Sequence, residues 1–171
     1  MRFRIHGPYP LRRLNGRLRR AAPDRRAFWN DVDKDAPGLS SACGCYVFTI
    51  RGRVWYVGLA EKQAFKKEWF TPHKVMLCND ALASVAGKPA MLFLAKLTNT
   101  GRFARPTKNE YQAVRKLENI LIGLAIRRNH RLANIAGTKF LREMVVPGVL
   151  NTPRGAARAY AVQNLKKALG V

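Results

Sequence analysis

Acidic residues are scarce in this chain of 171 residues, because ten Asp and Glu face 32 Lys and Arg and leave a formal net charge of +22. A field of that size repels itself unless it meets an anion, and each phosphate that a cation neutralises releases condensed counterions. The composition therefore favours nucleic acid as the partner. Charge that served solubility alone would not require so few acids.

Other features are missing as well. No apolar run approaches the ~20 residues that span a bilayer, so no membrane association is expected. The start has no apolar signal segment, although its arginines are weakly similar to a mitochondrial presequence. The three cysteines are an odd number, and Cys43 and Cys45 are too close for an ordinary bridge, which favours a reducing, cytoplasmic location. A Gly-rich phosphate loop is absent too, which excludes a nucleotide-driven motor.

The chain has room for one domain with extensions. Residues 1–26 contain nine arginines and little periodicity, and they predict an extended basic arm. We expect three regions, namely a basic N-terminal arm and linker over 1–35, a folded domain over 36–150 and a basic C-terminal helix over 151–171.

The central region alternates between strand and helix patterns. The most secure element is a β-hairpin with strands over 45–50 and 54–59 around the turn at Arg51 and Gly52. A third, buried strand is expected over 90–97. The expected helices cover residues 61–70, 74–85, 109–128 and 156–169, and the third of them carries an apolar stripe formed by Val114, Leu117, Ile120, Leu121, Leu124 and Ala125.

Loop length decides how the two tyrosines of the hairpin relate. A three-residue loop with Gly52 at its last position places Tyr46 directly opposite Tyr56. A two-residue loop of Arg51 and Gly52 shifts the register by one residue and sends the two side chains to opposite faces. The position of the glycine favours the first arrangement.

Glu118 lies in the longest apolar helix, where a carboxylate is costly to desolvate. A cation or a metal ion must offset that cost. A salt bridge with Arg115 or another basic side chain is the alternative, and for this residue taken alone it is the stronger reading.

Together these segments resemble the GIY-YIG nuclease family over approximately residues 43–135. The resemblance rests on Gly-Cys-Tyr at 44–46, Tyr-Val-Gly at 56–58, Leu-Glu at 117–118 within the long helix, and the segment Leu-Ala-Asn-Ile at 132–135. It implies an α+β fold with a small three-stranded, mainly antiparallel sheet flanked by helices. It also implies a metal-dependent endonuclease that hydrolyses phosphodiester bonds, in DNA more than in RNA.

The resemblance implies roles for the matching residues. Tyr46 corresponds to the general base, Tyr56 to a hydrogen-bond donor to the phosphate or water, Glu118 to the ligand of one Mg²⁺ (or Mn²⁺), and Asn134 to a residue that fixes the network, with Asn129 in reserve. Glu118 has no clustered carboxylates in the sequence, which also favours a single ion. A tyrosine can act as a base only if nearby cations or a metal ease its ionisation.

The chain departs from the family in the helix after the second tripeptide, where no arginine stands. Lys66 has the closest spacing, but a lysine lacks the bidentate fork of an arginine. His73 is a further possible phosphate or water ligand. The expected nucleic-acid-binding cations are Arg51, Arg53, Lys62, Lys67, Arg127 and Arg128.

The missing arginine keeps open a non-catalytic DNA- or RNA-binding module that retains the nuclease fold. A structural role in a nucleoprotein particle is a third possibility. A zinc site from Cys43, Cys45, Cys78 and His73 is disfavoured, because the Cys-x-Cys spacing is short and buried thiols are the simpler reading.

Overall fold

The computed structural model describes residues 1–107, 111–134, 138–152 and 158–170, together with the backbone but not the side chains of residues 139 and 140. Its described part is a mixed α and β structure. The strands are β1 (Arg2–Pro10), β2 (Arg13–Leu14), β3 (Arg17–Leu18), β4 (Gly44–Ile50), β5 (Arg53–Ala60) and β6 (Pro89–Leu97).

The main sheet has four strands in the order β1-β6-β4-β5, and every neighbouring pair is antiparallel. The α+β class is therefore confirmed, and the expectation of three strands is wrong. The short strands β2 and β3 pair with each other in a separate hairpin.

The fourth strand comes from the segment that was expected to be an extended basic arm. Strand β1 pairs with β6 from Arg2 opposite Leu97 to Pro10 opposite Ala90, and Tyr9 is buried among aromatic side chains. Only one side of β1 is paired, and an edge strand tolerates many charged side chains. The arginines obscured this strand, and spacing could not have indicated it, because a register shift between His6 and Tyr9 places Tyr9 on the other face from Phe3 and Ile5.

The hairpin of β4 and β5 has a two-residue loop, because Ile50 pairs with Arg53. Arg51 and Gly52 both have positive φ, at 55° and 73°, which suits the right-handed twist of a tight hairpin. The prediction of a three-residue loop with Tyr46 opposite Tyr56 is wrong. Tyr46 pairs with Gly58, and Tyr56 pairs with Phe48.

The helices are α1 (Ala22–Asp35), α2 (Phe65–Glu68), α3 (Pro72–Ser84), α4 (Gln112–Arg128), α5 (Thr138–Glu143) and α6 (Tyr160–Leu169). The helix expected over 61–70 is thus a single turn. The expected starts of the long helix at 109 and of the terminal helix at 156 lie outside the described residues.

Each face of the sheet carries its own apolar cluster. Helices α1, α2 and α3 contribute to the larger cluster, in which Phe28, Trp29 and Phe65 pack with Phe93. Helix α4 packs on the other face, mainly against β5. Its buried residues are Val114, Ile122, Ala125 and Ile126, so the predicted stripe was only partly correct, and Ile120 and Leu124 are exposed.

Among the helices that the structure describes, none combines the length and the apolar character needed to cross a bilayer.

Candidate active site

The sheet brings Tyr46 and Tyr56 onto one face by an unexpected route. The two-residue loop alone would separate them, but a register shift between Phe48 and Thr49 places one extra residue in β5 and restores the parity. The ring centroids lie 6.2 Å apart, with 40° between the ring planes. The two side chains are therefore diagonal neighbours, and their placement on a common face is confirmed.

Steric contacts explain why glycine occurs in each of the two tripeptides. A Cβ at Gly58 would lie 2.4 Å from the Cζ and Oη atoms of Tyr46, so the tyrosine ring occupies the space over that glycine. A Cβ at Gly44 would lie 2.1 Å from the carbonyl oxygen of Leu94, and its φ of 151° is also positive. Each glycine permits a close approach that fixes the position of Tyr46.

Tyr46 is completely buried, between Phe65 and Trp69. Its hydroxyl faces that of Tyr56 but meets the geometry of a hydrogen bond with no described residue. Burial above all, followed by the Tyr56 hydroxyl and the Glu68 carboxylate, raises the pKa of Tyr46 well above its ordinary value. Tyr46 is therefore protonated at neutral pH.

Tyr56 is partly exposed, and burial raises its pKa to about 12. The adjacent Tyr46 hydroxyl favours the phenolate, whereas Glu118 disfavours it. Glu118 on α4 is thus close enough to Tyr56 to act on its ionisation. Tyr46, by contrast, lies in the apolar cluster on the sheet face opposite to α4, and Glu118 is not among the groups that shift its pKa.

Glu118 forms neither an ion pair nor a hydrogen bond with any residue that the structure describes. Burial and the nearby Glu61 carboxylate raise its pKa to about 7, while Arg115 and Lys74 act in the opposite direction. The alternative of a direct salt bridge between Glu118 and Arg115 is wrong, because the Arg115 guanidinium binds another acid.

That acid is Glu61, which follows β5 and is only 5% exposed. Arg115 donates to its Oε1 from Nε at 3.0 Å and from Nη2 at 2.7 Å. Glu61 was not singled out in the sequence, so Glu118 is less isolated from other carboxylates than expected. Glu61 directly follows β5, and nothing in the sequence links it to a helical residue 57 positions later.

The cation at this site is Lys74 of α3 and not Lys66. The ammonium of Lys74 lies 5.6 Å from the centroid of the Tyr46 ring, donates to the backbone carbonyl of Glu68 at 2.8 Å and is ion-paired with the Glu68 carboxylate. Its side chain is mostly buried. The sequence did not single out Lys74, because the family resemblance places the cation in the preceding helix.

Lys66 is an exposed residue of α2, as is Lys67, and Lys62 is exposed in the loop before that helix. His73 is exposed in the first turn of α3, directly before Lys74. Lys66, Lys67 and His73 form no hydrogen bond, ion pair or ring contact with Tyr46, Tyr56 or Glu118 in the described part of the chain.

Asn134 is buried and covers the outer edge of β5. Its amide accepts from the Val57 backbone N–H at 2.9 Å and donates to the Val57 carbonyl at 2.6 Å. Asn129, the reserve candidate, donates to the Val54 carbonyl at 2.7 Å. Both amides take the place of a neighbouring strand, and Asn134 fixes the residue between Tyr56 and Gly58.

The remaining predicted cations lie on the hairpin, where β5 begins at Arg53, and at the C-terminal end of α4, which closes with Arg127 and Arg128. Arg53 donates to the backbone carbonyl of Arg128. With Arg127 these two line a cleft of about 700 Å³ whose floor includes Val54 and Leu121. Arg51 is exposed in the turn itself.

The three cysteines are free and buried, which agrees with the reading as buried thiols. Cys45 donates to the carbonyl of Val114, and burial followed by the Glu118 charge raises its pKa. No group of three His, Cys, Asp or Glu side chains arranged for a metal ion occurs among the residues described.

No protein-family model matches this chain, and no match was found among curated proteins or among solved structures.

Proposed function

We propose that this protein is a metal-dependent endonuclease of the GIY-YIG type that hydrolyses phosphodiester bonds in DNA. The observation that carries the proposal is the placement of Tyr46 beside Tyr56 on one face of the sheet, together with the unpaired Glu118, whose charge acts on the ionisation of Tyr56. Simple aromatic packing accounts for two tyrosines on a hairpin. It does not account for a desolvated carboxylate that acts on the ionisation of Tyr56 and lacks an ion pair with any described residue.

The donor set suits one Mg²⁺ ion. Magnesium keeps several of its waters and binds through one or two carboxylates together with substrate phosphates. Glu118 would be the direct ligand, and Glu61 stays engaged by Arg115. The ion would supply positive charge to the phosphoryl oxygens and to the leaving oxygen.

Each side chain has a role that its position supports. Tyr46, as the phenolate, accepts the proton of the water that attacks phosphorus, and solvent protonates the leaving oxygen as the P–O bond breaks. Tyr56 is partly exposed and donates a hydrogen bond to a phosphoryl oxygen. Lys74 places a positive charge beside the Tyr46 ring. Asn134 is a positioning residue, because both ends of its amide are used by Val57.

The surroundings make the ionisation of Tyr46 expensive. Glu68 and the apolar neighbours of Tyr46 raise its pKa, and Lys74 is shared with Glu68. Bound substrate and metal would therefore have to separate Lys74 from Glu68 or add further positive charge. The exposed Lys62, Lys66 and Lys67 and the net charge of +22 favour a polyanionic substrate.

Nicking of supercoiled plasmid in Mg²⁺ tests this proposal. We expect the wild type to convert the plasmid to the open circle, and Glu118→Gln to do so about 100-fold more slowly, because it removes the metal ligand. Asp80→Asn is the matched control, since it removes one exposed carboxylate of α3. Equal nicking by wild type and Glu118→Gln, or none by the wild type across several metals and DNA structures, would overturn the proposal.

A non-catalytic nucleic-acid-binding module is the second candidate, and the complete burial of Tyr46 favours it. A base must reach the water that it activates. This candidate predicts salt-sensitive DNA or RNA binding that Glu118→Gln leaves unchanged, without nicking in any metal.

A further inference from the structure

A second concave surface lies at the β1 side of the sheet. It encloses about 500 Å³, and its lining includes Arg4 of β1, the turn at Pro37 and Gly38, and the residues Arg102, Phe103 and Arg105 that follow β6. We call it the arginine pocket. No acidic side chain is among its lining residues.

The charge of the arginine pocket is not neutralised by the described protein. The guanidinium groups of Arg4 and Arg102 form neither ion pairs nor hydrogen bonds with described residues. Arg105 donates only to the carbonyl of Ser41, at 3.3 Å and in an exposed position. Two nearby carboxylates at the end of α1 are already engaged, Asp33 by the Ser40 N–H and Asp35 by the Tyr9 hydroxyl.

Phe103 adds an aromatic ring to these cations. The ring is half-buried and meets His6 edge to face, with centroids 5.3 Å apart. An antiparallel bridge to Leu97 and the hydrogen bond from the Ala104 N–H to the Lys96 carbonyl fix its backbone. The ring is therefore held in place before any ligand binds, which lowers the entropic cost of stacking.

The sheet register relates this pocket to the candidate active site. One row of paired residues crosses all four strands from Arg4 through Ala95 and Gly44 to Ala60. The next row runs from His6 to Phe93, Tyr46 and Gly58, so Arg4 lies on the same face as the tyrosines. Strand β1 lies two strand spacings from β4, which carries Tyr46, and three from β5, which carries Tyr56, or roughly 10 and 14 Å.

We propose that the arginine pocket binds single-stranded nucleic acid, with phosphates on Arg4, Arg102 and Arg105 and one base stacked on Phe103. Guanidinium groups bind phosphates, and an aromatic ring accepts any base through its face. An acidic peptide could form ion pairs with the arginines, but it has no base that would stack on the Phe103 ring. If the proposed nuclease function holds, the arginine pocket binds the strand beyond the cleaved bond. Only this last statement rests on the proposed nuclease function.

Fluorescence anisotropy with a labelled oligothymidylate of twelve nucleotides tests the pocket. The measurement is made in EDTA, so that no cleavage takes part, and over a range of salt. We expect Arg102→Gln to weaken binding about tenfold and to lower the salt slope by about 0.7, the value for one phosphate contact on a single strand. Arg13→Gln is the matched control, an exposed arginine of β2 outside the pocket, and it should weaken binding less than about twofold.

The aromatic contact is tested separately. Phe103→Leu keeps an apolar side chain and should weaken binding about fivefold or more without changing the salt slope, whereas Phe103→Tyr should bind as the wild type does. Thermal melting checks that both variants fold. We expect Arg102→Gln to fold as the wild type does, because the Arg102 side chain is exposed and forms no hydrogen bond or ion pair with a described residue.

The proposal is overturned if Arg13→Gln and Arg102→Gln lose equal affinity, if Phe103→Leu binds as the wild type does, or if an oligoglutamate of matched charge displaces the oligonucleotide equally well. The anisotropy measurement reads binding in EDTA and not cleavage, so a failure of the nuclease proposal in the plasmid assay leaves this result standing.

Discussion

Tyr46 is fully buried beside Tyr56, and the charge of Glu118 acts on the ionisation of Tyr56. These three residues could be identified from the sequence. The tyrosines belong to two short tripeptides, and Glu118 is one of few acids in a basic chain and lies in an apolar helix. Lys74 and Glu61 did not stand out, because one lysine among many and one glutamate after a strand have no distinctive spacing. Their relation to the site depends on how α3 and the end of β5 pack, which local patterns do not encode.

The titration of Glu118 gives a prediction at this scale. In the unfolded chain its pKa is near the ordinary 4.5, and in the folded protein it is about 7. The folded state therefore holds the proton more tightly, and the stability that this supplies is complete below about pH 4.5 and lost as the pH rises through 7. Ionised Glu118 destabilises the fold.

Glu118→Gln should consequently be more stable than the wild type at pH 8 by roughly 1–2 kcal/mol, after allowance for solvent screening of a partly exposed group. The difference should vanish near pH 4.5. Urea denaturation in EDTA at both pH values measures it. Added Mg²⁺ should narrow the gap at pH 8, and an unchanged gap would argue against a metal at Glu118.

At the scale of elements, the hairpin shows what spacing can and cannot determine. The turn was predictable from Arg51 and Gly52, but the register was not, because a bulge near the start of β5 leaves no clear sequence signal. The common face of the tyrosines was predicted for the wrong reason. The loop is one residue shorter than predicted, and β5 contains one extra residue that was not predicted. The two differences cancel, so both tyrosines face the same side of the sheet.

The edge of β5 carries the second prediction. Asn134 satisfies both the N–H and the carbonyl of Val57 in a buried position. Asn134→Ala should lower the free energy of unfolding by about 2–3 kcal/mol, because it leaves two buried backbone groups unpaired. Urea denaturation measures the loss.

Asn134→Asp is the matched variant, since it keeps an acceptor for the Val57 N–H and loses the donor to the carbonyl. It should also be destabilised, because the charge is buried. If Asn134→Ala were as stable as the wild type but inactive in nicking, Asn134 would contact substrate and would not be a positioning residue.

The whole molecule differs from the expected plan mainly at the N-terminus. Net charge correctly marked residues 1–26 as basic but could not reveal that β1 completes the sheet, since charge patterns report on partners and not on fold. Long-range pairing between residues 2–10 and 89–97 is invisible to local periodicity. The α+β class, by contrast, was predictable from the alternating strand and helix patterns.

Removal of residues 1–10 separates the two views of the N-terminus. A phosphate-tracking arm could be deleted without loss of the fold. Strand β1 covers one edge of β6 and buries Tyr9, so we expect the deletion to abolish cooperative unfolding or to lower the melting temperature by more than about 10 °C.

Deletion of residues 158–171 is the control, because α6 has no buried residue. This deletion should change the melting temperature by only a few degrees, which corresponds to a change of about 1 kcal/mol or less in the free energy of unfolding. Equal melting of the wild type and the chain without residues 1–10 would contradict the structural role of β1.

The most direct test of the central claim is plasmid nicking by Tyr46→Phe, measured beside its thermal melting. The Tyr46 hydroxyl is buried and has no hydrogen-bond partner among the described residues, so its removal should leave the melting temperature unchanged or slightly higher. If Tyr46 is the general base, nicking in Mg²⁺ should nevertheless fall about 100-fold or more. Nicking at the wild-type rate by a stably folded Tyr46→Phe would contradict the account.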